Sequence, residues 1–287
     1  MNYETLLRKI KCYEKTFSVK CLGYTNFGRK IFAVEKVLNE NFATAIFVGS
    51  THGREHLSTD LLCRIIDDGL FDEIKDFNLA FVLMINPDGV ELCFNGVFSV
   101  PEKYRDFVVK INGGSLDFSM WKANGLGEDI NNNFDANFGT NVHSFKPSSS
   151  GFIGEFAESV KETKILADYT LKKKAFIAIS YHLKGEEIYF NFFQSGRRLK
   201  RDRLIAKRFA RSTGYKIKNV EKLSSGGYKD WCVQKLKIPA LTIELGSDKL
   251  SHPVSAKYLD DIYLHHKSVA KDLMFAYNMF VRFGEKL

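Results

Sequence analysis

The chain reads as an α/β protein with a largely parallel or mixed sheet. Three observations lead there. Short apolar runs alternate with longer amphipathic stretches, the pattern of strands joined by helical crossovers. No internal repeat, low-complexity tract or Pro/Ser-rich linker divides the sequence, which holds only five prolines. At 287 residues and 45% apolar it can bury one large core, so residues 1–287 are expected to form a single domain.

In chain order, Glu4 to Tyr13 predicts a helix, and the apolar runs Ile31 to Leu38 and Ala43 to Val48 predict two strands. The amphipathic stretch Glu55 to Gly69 predicts a helix, and Leu79 to Ile85 a third strand. Pro101 to Ser150 is rich in Asn, Gly and Ser and predicts long excursions over the sheet edge, where function often resides. A helix over Glu155 to Lys173 then leads to strands at Phe176 to Ser180 and Ile188 to Phe193. Leu199 to Ser212 predicts a helix and Ala240 to Leu245 a strand. Finally, Ser255 to Phe283 carries Leu259, Ile262, Tyr263, Val269, Leu273, Tyr277 and Phe280 at spacings near three and four. That stripe predicts one long helix whose aromatics belong to the core.

Charge and cysteines narrow the setting. The net charge is +8, but Lys and Arg are spread along the chain and no nucleic-acid motif occurs, so no nucleic-acid partner is expected. The denser clusters, Lys172 to Lys174 and Arg197 to Arg203, read as solvated surface, while the positive field favours an acidic substrate. The five scattered cysteines contain no CxxC pair and read as reduced thiols. No apolar run approaches the roughly 18 residues of a membrane-crossing helix. Met1 to Lys20 lacks the apolar region of a signal peptide, so a cytoplasmic protein with no membrane partner is expected. The sequence is silent on oligomeric state.

One constellation carries chemistry. His52 follows the strand Ala43 to Val48 in Gly49-Ser50-Thr51-His52-Gly53-Arg54-Glu55, where a helix begins. Strand ends that feed helix starts are where open α/β sheets place ligands. Gly53 lets the backbone bend so that His52 and Glu55 converge. A catalytic zinc wants three protein ligands, commonly two His and one Glu. His182, at the end of strand Phe176 to Ser180, supplies the second imidazole. Glu244 lies inside the apolar run Ala240 to Leu245, where a carboxylate is costly unless paired or functional. It is the candidate general base for water attacking a carbonyl. Each residue alone is a weak signal; the combination at three strand ends is the strong one.

The sequence resembles the carboxypeptidase A-like zinc peptidases of the funnelin type. The pieces are Gly28-Arg29-Lys30-Ile31, Thr51-His52-Gly53-Arg54-Glu55, Asn86-Pro87-Asp88-Gly89, Asp129-Ile130-Asn131-Asn132-Asn133-Phe134-Asp135, Ser180-Tyr181-His182 and Thr242-Ile243-Glu244. The resemblance implies a three-layer α/β/α sandwich around a mixed, twisted eight-stranded sheet. It implies one zinc ion held by His52, Glu55 and His182, with Glu244 as general base. It places Arg54 where an arginine polarises the carbonyl or holds the peptide, and Asp129 where a carboxylate orients a metal-bound histidine. Asn131 falls where an asparagine meets the substrate's terminal carboxylate.

Three positions depart from the digestive enzymes of that family. Asn132 stands where an arginine clamps the C-terminal carboxylate, and an amide offers no charged fork. Lys122, in Trp121-Lys122-Ala123-Asn124, stands where an arginine stabilises the oxyanion. The mobile tyrosine before Gly226-Gly227 is missing, with Lys222 nearest and Tyr228 close by. These departures resemble a bacterial branch linked to peptidoglycan stem peptides, especially the γ-D-glutamyl–diaminopimelate bond. Lys229 falls at the position that sets the specificity pocket, where a cation favours an anionic group. The expectation is therefore a zinc peptidase acting near the C-terminus of acidic peptides or muropeptides. The rivals are a plain carboxypeptidase for ordinary peptides and a non-catalytic binding protein that keeps the fold.

Overall fold

The computed structural model describes residues 1–140, 144–219 and 224–284; Lys222 lies outside them. The apolar runs become strands β2 (Lys30–Lys36), β3 (Thr44–Val48), β4 (Asn78–Val82), β5 (Ala175–Leu183), β6 (Glu187–Tyr189) and β8 (Ala240–Leu245). Two further strands, β1 (Ser18–Tyr24) and β7 (Lys216–Lys218), complete a mixed eight-stranded sheet in the order β1-β2-β4-β3-β5-β8-β6-β7. Neither was predicted. Both lie at sheet edges; β1 is largely exposed or half-buried and β7 has three residues, so neither shows a clean apolar period.

The helices are α1 (Tyr3–Tyr13), α2 (Leu57–Asp67), α3 (Pro87–Asn95), α4 (Arg105–Ile111), α5 (Lys161–Lys172), α6 (Gly196–Thr213), α7 (Tyr228–Trp231), α8 (Leu259–His266) and α9 (Val269–Arg282). Together with the sheet they make the three-layer α/β/α sandwich. One layer holds α2, α6, α8 and α9, which pack on one another. The other includes α5 and α7, joined where Thr170 Oγ1 meets the Tyr228 hydroxyl at 2.8 Å.

Several predicted boundaries move. The helix expected from Ser255 to Phe283 is two helices, because the chain turns at Lys267–Ser268 while keeping its apolar side inward. The helix expected from Glu155 starts at Lys161, since residues 155–159 fold over Asn133, whose side chain donates to Ile153 O, Phe156 O and Ser159 Oγ. Helices α3 and α4 were missed. For α3 the punctuation was legible: Pro87 sits in its first turn and the Asn86 side chain accepts from Gly89 N at 2.9 Å. Its apolar run is too short to reveal a helical period.

Parallel pairing of β4, β3, β5 and β8 positions the site. Every residue of β3, β4 and β5 is buried, as expected for strands covered on both faces. Phe176 packs against Phe77, Tyr277 and Phe280, with ring centroids 4.9, 5.1 and 6.0 Å away. Removing such a ring costs about 3–5 kcal/mol, so this layer holds the strands in fixed register. A smaller satellite core of Leu92, Val100, Val108, Phe118, Trp121 and Ala123 anchors the excursion that brings residues 121–133 over the sheet edge.

Glu162, at the start of α5, is fully buried beneath that excursion. Asn124 Nδ2 donates to its Oε2 at 2.9 Å, while Oε1 has no partner among the described residues. Burial, assisted by the charges of Asp88 and Glu128, pushes the carboxyl up from 4.5 to about 7. The folded state therefore binds this proton more tightly than the unfolded chain. Its contribution to stability is complete below about 4.5 and is lost as pH rises through about 7. The uncharged Glu162→Gln variant should escape that loss. Its stability advantage in chemical denaturation should grow between about pH 5 and about pH 8, to on the order of 3 kcal/mol. A constant difference across that range would contradict this assignment.

Candidate metal centre and active site

The site is assembled at the C-terminal ends of parallel strands. After β3 the chain makes a 3₁₀ turn over Gly53–Glu55, and α2 begins at Leu57 rather than at Glu55 as the sequence predicted. The turn is fixed from outside. Gly53 N donates to Lys122 O at 3.1 Å and Arg54 N to Trp121 O at 2.9 Å. Asn86 Nδ2 donates to Thr51 O at 3.1 Å and to Ala123 O at 3.0 Å. A Cβ at Gly53 would lie 2.4 Å from Gly89 O, so only glycine allows this approach. The Asn86-Pro87-Asp88-Gly89 and Gly28-Arg29 motifs join this support, since Arg29 binds buried Asp88 at 2.7 Å.

Within this frame His52 Nδ1 lies 2.8 Å from Glu55 Oε1, and His182 Nδ1 lies 3.0 Å from Glu55 Oε2. The two Nδ1 atoms are 3.3 Å apart, and one donor atom from each of the three residues falls within 4.8 Å of the others. All three side chains are buried. Their other ring nitrogens face outward: His182 Nε2 is 2.9 Å from Ser180 Oγ, and His52 Nε2 is 3.4 Å from Asp129 Oδ1. Protonation at Nε2 leaves both Nδ1 lone pairs turned toward one carboxylate. Such a set of three electron-rich donors fits a cation, and two imidazoles with one carboxylate suit zinc. Ser180 was not singled out from the sequence, although its spacing of two from His182 puts both on one strand face.

Glu244 stands directly beside His182 in the β5–β8 register, and Glu187 of β6 stands on its other side. Burial, reinforced by the charges of Glu55 and Glu187 and opposed by His182 and Lys122, pushes its carboxyl up to about 7. A carboxylate near neutrality can accept and return a proton. Charge is balanced on the other side. Burial opposes ionisation of Asp129, but Lys122 Nζ at 2.8 Å and His52 hold it well below the usual range. For His52, burial pulls the imidazole down, yet Glu55 and Asp129 outweigh it and the net shift is upward. Glu55 is likewise held low despite burial by its two histidines.

The remaining predicted residues divide. Lys122 lies beside Asp129 at the centre, and Arg54 next to Glu55, its Nε buried without a partner among the described residues. Asn131 Oδ1 accepts from Tyr228 N at 3.2 Å, and the Asn132 backbone abuts Gly226, whose Cβ would come within 2.2 Å of Asn132 O. The structure does not bring the Tyr228 side chain to the site. It is 1% exposed, packed between Phe134 and Trp231, with its hydroxyl on Thr170. Lys229, expected as an open cation, is 5% exposed; its ammonium contacts Asp230 and donates to Asn191 O at 2.9 Å. Its charge is already balanced within the fold.

Residues 3–267 match the profile of the zinc carboxypeptidase family. The chain belongs to that family. It is 27% identical over 283 residues to γ-D-glutamyl-L-diamino acid endopeptidase 1 of Lysinibacillus sphaericus, covering 91% of this chain and 69% of that protein. In fold it is similar to bovine thrombin-activatable fibrinolysis inhibitor in complex with tick carboxypeptidase inhibitor, with TM-score 0.76 and 17% identity over 96% and 95% of the two chains. It is also similar to the murein-tripeptide amidase of Escherichia coli O157, with TM-score 0.54 and 16% identity over 94% and 93%. This zinc peptidase uses zinc as cofactor, and His52, Glu55 and His182 form its candidate metal site.

With Asp129 facing His52 Nε2, Asp129→Asn removes the charge that favours the Nε2-protonated ring. Zinc affinity should fall roughly 10- to 100-fold, measured by competition with a coloured chelator. Affinity equal to the parent's would detach Asp129 from the metal centre.

Proposed function

We propose that this zinc peptidase hydrolyses acidic stem peptides of the peptidoglycan type, at the bond between a γ-linked D-glutamyl residue and a diamino acid. The observation that carries the hydrolytic reading is the in-register pairing of Glu244 with His182 beside the three convergent donors. The substrate reading is supported by the likeness to the γ-D-glutamyl-L-diamino acid endopeptidase. It is also supported by Asn132, an amide where a plain carboxypeptidase would need a charged fork.

His52, Glu55 and His182 would hold the zinc, which would supply a Lewis acid for the scissile carbonyl and for the attacking water. Glu244 takes a proton from that water as its oxygen bonds to the carbonyl carbon. Lys122 presents positive charge to the oxygen on which negative charge collects, and Arg54 helps to hold the peptide. Glu244 then returns the proton to the departing amine as the carbon–nitrogen bond breaks, which leaves a carboxylic acid and a free amine. Asp129 keeps His52 in the orientation that leaves Nδ1 free. Asn131 and Asn132 meet the portion of substrate beyond the cleaved bond, with Lys229 behind them. A reducing, cytoplasmic setting belongs to the same proposal, supported by five unpaired cysteines.

The test uses L-alanyl-γ-D-glutamyl-L-lysine and a panel of ordinary α-linked dipeptides. Chelation should abolish turnover and added zinc should restore it. Glu244→Gln should lower kcat about 10²- to 10⁴-fold while bound zinc stays at the parent level. Full activity in that variant would remove Glu244 from proton transfer, and faster cleavage of the α-linked panel would favour the plain carboxypeptidase.

A further inference from the structure

With Lys229 internally neutralised, the basic groups left around the metal centre lie on its other flank. The loop after Glu244 folds back over the turn that follows His182: Gly185 N donates to Gly246 O at 2.8 Å, and Lys184 Nζ donates to Asp248 O. His252 follows on the same loop, near enough to the centre for the charges of Arg54, Glu55, Lys184 and His52 to act on its ring. His252 Nδ1 is buried without a partner among the described residues, and so is Arg54 Nε. Two buried, unused nitrogens beside a lysine are costly unless an acceptor meets them. The Asp248 carboxylate does not fill that role, since it turns to its own neighbour Ser247, 3.4 Å away.

The sheet order sets the direction of this flank. Arg54 follows β3 and Lys184 follows β5, whereas Lys229 and Asn191 lie beyond β8, on the β6 side. Glu244, on β8, stands between the two groups, and the metal ligands share the ends of β3 and β5 with Arg54 and Lys184. With Asn131, Asn132 and Lys229 assigned to the departing-amine side, Arg54, Lys184 and His252 are left for the residue whose carbonyl is attacked.

We infer that Lys184 and His252, with Arg54, form a carboxylate-binding subsite for the α-carboxylate of a γ-linked glutamyl residue. The inference rests on the function proposed above and names a selectivity device for it. In a γ-linked residue the chain leaves through the side-chain carboxyl, so a free α-carboxylate remains four bonds from the scissile carbonyl carbon. An α-linked peptide has no anion at that place unless the residue itself is glutamate. Lys184 keeps ammonium protons beyond the one given to Asp248 O, neutral His252 donates from one ring nitrogen, and Arg54 Nε supplies a third donor. Charge-assisted hydrogen bonds of this kind are short, strong and selective.

The experiment pairs two substrates that differ by one group: L-alanyl-γ-D-glutamyl-L-lysine and its α-carboxamide, the isoglutaminyl peptide. Both are cleaved by zinc-loaded parent enzyme, Lys184→Met and His252→Gln, and kcat/KM is taken for each pair. Because the ratio is measured within one protein, a partly unfolded preparation scales both rates equally. The parent should prefer the carboxylate by about 30-fold, and the ratio should fall below about 5-fold in at least one variant. A parent without that preference, or a ratio kept in both variants, overturns this subsite while leaving the proposed function standing. A parent that cleaves neither γ-linked peptide overturns the function and the subsite together.

Discussion

Two imidazole nitrogens 3.3 Å apart, each within 3.0 Å of the same buried carboxylate, form the interaction on which this molecule turns. With Ser180 and Asp129 facing their outer nitrogens, rings carrying their proton at Nε2 turn their Nδ1 lone pairs toward each other and toward Glu55. A cation makes this arrangement favourable. The surrounding fold exists to hold these three donors in place from separate stretches of chain. Strands β3 and β5 run parallel and adjacent, so their C-terminal ends deliver His52, Glu55 and His182 to one edge. Strand β8 lies next to β5 and brings Glu244 to the same level.

Burying this much charge would be prohibitive if the groups were not arranged in alternation. Lys122 faces Asp129, Asp129 faces His52, and His52 faces Glu55. Each group lowers the cost of the next. Glu244 stands apart in this chain because Glu55 and Glu187 add to burial in raising its proton affinity. The same environment thus yields one carboxylate suited to hold a metal and another suited to shuttle a proton, separated by a strand.

The backbone around the centre is held with equal care. Asn86, Gly53 and Gly89 have no evident chemical part. Yet Asn86 ties the loop after β3 to the excursion carrying Lys122, and Gly53 allows that loop to lie against Gly89 O. Arg29 and Asp88 fasten the same corner to β2. Motifs that look functional in the sequence are in these cases the scaffolding that orients the chemistry.

The sequence by itself determined the α/β class, six of the eight strands and the candidate metal trio with its nearby glutamate. Those features rest on local apolar periodicity and on donor types whose burial would otherwise be unfavourable. It did not reveal β1, β7, α3 or α4, because edge strands and one- or two-turn helices carry too few apolar positions to show a period. The break at Lys267–Ser268 was hidden for a related reason: a turn that keeps its apolar face inward leaves the spacing nearly unchanged. Only the tertiary structure decided that Tyr228 packs in the core, that Lys229 is neutralised by Asp230, and that His252 Nδ1, near the charges of Arg54 and Lys184, has no partner among the described residues. Whether a charge is spent or available depends on neighbours from distant parts of the chain, and spacing along the sequence carries no record of them.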